Sequence, residues 1–138
     1  LKFESISRDL SSCITFLGSL PHREIPSLLA AADILLYPAP KSDHPFYCRD
    51  TSPLKIFEYI ATKKPTVIAD LPPIRDVLTD EMTFFVPPGD PEAFAAAISE
   101  VLSQPIVASM KAKSAFSTVQ EYTWKKRMER ILSSITLC

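Results

Sequence analysis

Short runs rich in β-branched and aromatic residues alternate along this chain with longer stretches whose apolar residues recur every three to four positions. Residues 14–17 (ITFL) predict a strand closed by Gly18. Residues 23–32 (REIPSLLAAA) predict a helix, with Pro26 tolerated in its first turn. Residues 34–37 (ILLY) predict the next strand, ended by Pro38-Ala39-Pro40, and a polar loop runs from Lys41 to Thr51. Ser52 is a natural N-cap and Pro53 a natural first helical residue, so a helix is expected from there to about Thr62. Residues 66–69 (TVIA) read as a strand, 73–79 as a short helix and 83–86 (TFFV) as a final strand. Asp90-Pro91-Glu92 combines a cap, a preset φ and an acid suited to a helix start, so a helix is expected to about Leu102. Two more helices fit 107–120 and 124–135, the last capped by Thr123.

Strands alternating with helices in this way predict β-α-β units, hence an α/β fold with a parallel sheet covered on both faces. Right-handed crossovers bring the C-terminal ends of all strands to one edge, where open α/β sheets bind ligands. The loops on that edge would be 18–23, 38–52, 70–73 and 87–91. The segment from Asp50 to Glu58 therefore falls at the expected ligand position on topology alone.

Bulk properties narrow the classes. The 138 residues suit a single domain, 1–138, and 46% hydrophobic residues exclude a disordered chain. A net charge of −1 without a Lys/Arg cluster argues against nucleic acid as a partner. Cys13, Cys48 and Cys138 are odd in number and far apart, which fits a reducing, cytoplasmic compartment better than disulfides or zinc. His22 and His44 have no His or Cys at ligand spacing, so no metal is expected. The opening LKFESISRDLSS is too polar for a signal peptide, and the longest apolar stretch, Leu28 to Pro38, is interrupted by Asp33 and far short of the ~20 residues that span a bilayer. Lys125, Lys126, Arg127 and Arg130 form a basic helix face, read first as solvated and second as a peripheral contact with anionic lipid at the inner membrane face. Tyr122 and Trp124 are expected to anchor the C-terminal helices to the body of the domain.

On a helical wheel Leu54, Ile56, Phe57, Ile60 and Ala61 share one broad face, and Glu58 lies at its margin beside Leu54 and Ala61. One reading makes Glu58 a solvated residue paired with Lys55. The other makes it a partly buried carboxylate that accepts paired hydroxyls, such as those of a sugar or ribose. The helix start at Ser52–Lys55 would add unpaired N–H groups, an anion site in itself.

Four segments, ITFLGSLPHREIPSLLAAADILLYP, SPLKIFEYIATKKPTVIAD, FFVPPGDPEAFAAAISEVL and YTWKKRMERIL, cover the chain from Ile14 to Leu132. In this order and spacing they resemble the C-terminal, donor-binding domain of family-4-type glycosyltransferases with the GT-B fold. The resemblance implies a Rossmann-like parallel sheet flanked by helices, part of a larger enzyme. Retaining transfer of a sugar from a nucleotide-diphosphate sugar, with UDP favoured, to a hydroxyl acceptor would follow, and no cofactor or metal would be needed. The acceptor would be a glycan or glycolipid, as in bacterial surface-polysaccharide synthesis, held by an N-terminal domain outside this sequence.

Residue by residue, the family's pair of acids falls on Asp50 and Glu58. Glu58 would accept hydrogen bonds from the ribose, and Asp50 would bond the transferred sugar as the catalytic candidate. The backbones of Ser52, Pro53 (carbonyl only), Leu54 and Lys55 would line the diphosphate and sugar, with Lys55 as a cation for the leaving group. Leu20 would meet the base through its backbone. Asp50 stands where the family usually has Glu and is one methylene shorter, so its hydrogen bond to the sugar would be lost or bridged by water. Lys63 stands where the family tends to have Gly, so a left-handed backbone is expected there. Against the family's layout the chain would lack about two opening strand-helix units, which would leave it inactive alone and its sheet edge open to self-association. Two other readings stay open: a sugar-nucleotide epimerase on the same scaffold, and a non-catalytic receiver-like α/β regulatory domain. The latter needs acids at the end of an early strand, whereas Asp33 precedes its strand.

Overall fold

A computed structural model of the protein describes residues 13–45 and 54–135. A 3-10 turn at His22–Glu24 leads into helix α1 (Ile25–Ala31), strand β1 (Leu35–Tyr37), helix α2 (Leu54–Ala61), strand β2 (Thr66–Ala69) and helix α3 (Pro72–Arg75). Strand β3 (Phe84–Val86) and helices α4 (Pro91–Ser103), α5 (Pro105–Val119) and α6 (Trp124–Ile135) complete the chain. The strands form one parallel sheet in the order β1-β2-β3, with Leu36 level with Val67 and Ile68 level with Phe85.

The central strand explains the layering. Every residue of β2 is buried, as an uninterrupted TVIA run requires of a strand with no solvent face. Alternation sends Ile68 into a cluster with Ile56 and Ile60 of α2, and Val67 into one with Ala97 and Val101 of α4. Ala108 of α5 joins the second cluster and Ala115 the first, the small side chains letting the helix pass close to both. Where β2 and β3 begin, the buried hydroxyls of Thr66 and Thr83 lie 2.7 Å apart, and Thr83 Oγ1 also donates to the Thr66 carbonyl at 2.8 Å.

Helix ends follow local chemistry. Pro72, Pro91 and Pro105 each occupy the first helical position. Asp90 accepts from the Ala93 N–H at 2.8 Å, and Thr123 from the Lys126 N–H at 3.2 Å. Helix α2 closes with the Lys63 N–H bonded to the Ile60 carbonyl at 3.4 Å and a Lys63 φ of 59°. The expected left-handed backbone is therefore present. Gly89 turns at φ 74°, and its N–H bonds to the Ala39 carbonyl at 2.8 Å, joining the loops after β1 and β3.

Two expectations are corrected. Residues 14–17 form no strand: they run as irregular chain ahead of the turn at Gly18, and Ile14, Phe16 and Leu17 are exposed. A β-rich run becomes a strand only when it joins a ladder, and the sheet of the described residues is β1-β2-β3. Gly18 nevertheless turns where expected, at φ 68°. Trp124 is no anchor either, being 82% exposed on α6, a helix with no buried residue. That helix is tied down through its polar side, by an ion pair of Lys126 with Glu121 and a hydrogen bond from Arg130 to the Glu121 carbonyl. Tyr122 does reach the body, its ring 5.2 Å from that of Phe57. Among the described residues no single helix is long and apolar enough to cross a membrane.

Candidate functional site

Helix α1 runs into β1, so its start lies at the edge where the strands end. Helix α2 follows β1 and starts at that same edge. The two helices flank a groove of about 400 Å³ lined by His22, Ile25, Leu29, Glu58, Ala61 and Thr62, with Pro26 and Ala30. Most of its wall is aliphatic, and Glu58 and His22 are its ionisable side chains. Burial of Ile56 and Ile60 fixes the rotation of α2, which turns Glu58 away from the core and along the groove.

The Glu58 side chain is 42% exposed, and its Oε1 stands 3.6 Å from Nε2 of His22, which is 88% exposed. Glu58 thus pairs across the groove with a residue of another element. Behind it, Tyr59 is held above the usual phenol range by burial, by the charge of Glu58 and by Tyr37. A carboxylate on an apolar-walled groove can accept two neighbouring hydroxyls of a ligand whose flat or aliphatic part lies on the wall.

The other sequence-predicted positions scatter. Lys55 is exposed on the first described turn of α2. Leu54, 69% exposed, opens onto a different cleft of about 440 Å³ with Phe57, Tyr122, Trp124, Arg127 and Arg130. Leu20 is half-buried just before the turn that carries His22, outside the groove lining. Asp50, Ser52 and Pro53 lie outside the described residues, so the pairing of Asp50 with Glu58 is not part of this description. The sequence reading weighed His22 only as a metal ligand. Its place beside Glu58 was legible only in that both residues sit near helix starts on one sheet edge.

Solved structures share this fold. Sucrose-phosphate synthase from Thermosynechococcus elongatus superposes with a TM-score of 0.72 at 22% identity, over 94% of this chain and 32% of that one. HepE of Anabaena in complex with UDP and glucose gives 0.73 at 22% identity, over 91% of this chain and 33% of that one. The same protein in complex with UDP-glucose gives 0.71 at 22% identity, over 91% and 34%. The fold is thus the parallel α/β arrangement of GT-B glycosyltransferases, and the chain spans about a third of the length of these relatives. No curated protein matches in sequence. The model of the family described as glycosyl transferases group 1 matches residues 2–104, more than half of the sequence, and the chain belongs to that family.

Proposed function

We propose that this chain is the donor-binding part of a glycosyltransferase that takes a sugar from a nucleotide-diphosphate sugar, UDP-linked by preference, and passes it to a hydroxyl acceptor. The observation that carries the reading is Glu58 on its apolar-walled groove at the strand-end edge. Family membership and structural neighbours solved with UDP or UDP-glucose support it.

In this proposal Glu58 accepts the two ribose hydroxyls. The start of α2, with Lys55 on its first described turn, faces the diphosphate. As the bond to the sugar breaks, the sugar acquires oxocarbenium character and the diphosphate gains negative charge. Fixed N–H groups and an ammonium stabilise that charge without reorganising, so no metal is assigned a role. Asp50 is proposed to bond the transferred sugar, and transfer is proposed to retain the anomeric configuration. A lipid-linked glycan is the proposed acceptor.

The test is titration with a panel of nucleotide sugars against the native chain and the Glu58→Ala variant. Loss of charge-assisted hydrogen bonds worth ~1.5–3 kcal/mol weakens binding about tenfold to a hundredfold. Equal affinity in a folded variant refutes the assignment.

A further inference from the structure

The distance between His22 and Glu58 has a specific meaning. At 3.6 Å it is too long for a hydrogen bond, so the contact is electrostatic and exists only when the imidazole is charged. The His22 side chain is largely exposed and that of Glu58 partly so. Within the groove lining no other charged side chain competes for the carboxylate.

We propose that His22 is a positioning residue for the donor's pentose and acts through Glu58, an inference that rests on the donor-site reading above. The imidazolium draws the carboxylate to itself and away from the position in which it would meet the ribose hydroxyls. The neutral imidazole releases the carboxylate to them. Histidine is the side chain that makes this change between about pH 5 and 8. Among the described residues the charged or titratable neighbours are Arg23 and Glu24 on the same turn, 3.9 Å apart, with Lys55 and Tyr59 on α2; α1 carries none. Of these side-chain types only imidazole ordinarily changes charge over that interval. Donor affinity therefore rises with pH. The size of the effect is that of a competing exposed ion pair, roughly two- to fivefold.

UDP-glucose is the suitable probe, because its diphosphate is esterified at both ends and keeps its charge across the interval. Calorimetric titration of the full chain at about pH 5.5 and 8 should show native affinity rising roughly two- to fivefold. His22→Gln should bind equally at both values, close to the native affinity at the upper one, with an unchanged unfolding midpoint. Glu58→Gln should bind weakly at both. Native affinity that is flat, or falls with pH, overturns the role of His22; if Glu58→Gln still weakens binding, the donor site itself stands. A persisting pH profile in His22→Gln also overturns it. If Glu58→Gln binds as the native chain does, or the native chain binds no nucleotide sugar, the donor-site reading fails and the inference with it.

Discussion

The ammonium of Lys63 lies 4.2 Å from the centroid of the Phe116 ring, and Lys63 is the one non-glycine residue with positive φ among those described. The side chain thus gains a cation–π contact where its backbone is strained. The two effects are similar in size, ~0.5–1 kcal/mol for the contact and ~1 kcal/mol or more for a left-handed non-glycine residue. Lys63→Gly, which loses both, should change stability little. Lys63→Ala keeps the strain and loses the contact, so it should fall below both by ~0.5–1 kcal/mol in urea unfolding. A Lys63→Ala chain as stable as Lys63→Gly would contradict this balance.

Thr66 and Thr83 should behave as a unit. Thr83→Val leaves the buried Thr66 hydroxyl and carbonyl without their Thr83 partner, which should cost ~1–3 kcal/mol. Adding Thr66→Val removes the orphaned hydroxyl, so the double variant should be less destabilised than the sum of the singles. A double-mutant cycle measures the coupling, and strict additivity would show that the hydroxyls do not depend on each other.

The two glycines should respond differently to alanine. A Cβ on Gly89 would come within 2.8 Å of the Lys41 backbone nitrogen, whereas one on Gly18 would meet nothing within 4 Å. Both substitutions carry the left-handed cost of ~1–2 kcal/mol. Gly89→Ala must also part the loops after β1 and β3, so its midpoint in thermal unfolding should drop well below that of Gly18→Ala.

Arg75 gathers two carboxylates just past the end of β2. Its Nε and Nη2 bond to Asp70 at 2.7 and 2.8 Å, its Nη1 bonds to Asp80 at 2.7 Å, and its guanidinium lies 3.7 Å from the Phe85 ring centroid. The hydrogen bond from Arg75 holds Asp80 below the ordinary carboxylate value of 3.8. A group depressed in the folded state contributes stability above its unfolded value and loses it as pH falls through the folded one. The native chain should therefore lose stability on acidification below about pH 4 more steeply than Arg75→Met. Denaturant midpoints across the acid range provide the comparison, and parallel curves would remove the linkage.

Much of the architecture was written in local chemistry. TVIA declared a strand buried on both faces, and Asp90 and Thr123 declared their caps. These signals are local and survive in any tertiary setting. The left-handed turn at Lys63 followed instead from the family resemblance, which puts Gly at that position. ITFL failed as a strand because a strand is a property of two segments, and pattern alone does not supply the second. Trp124 failed as an anchor because aromatic bulk does not say which way a helix is turned. The candidate site was half legible: helix periodicity placed Glu58 at the margin of an apolar face, but not whom it faces. His22 enters only when two helix starts far apart in sequence are brought to one sheet edge.

Helix α6 buries no residue, and Lys126 and Arg130 fasten it to Glu121, with the Arg130 guanidinium also near the Tyr122 ring. Its amides should exchange with deuterium well ahead of those in β2, and its detachment should leave the sheet cooperative. Such a segment is a separable appendage, one that can be re-seated elsewhere at small energetic penalty while the nucleus of the molecule stays folded.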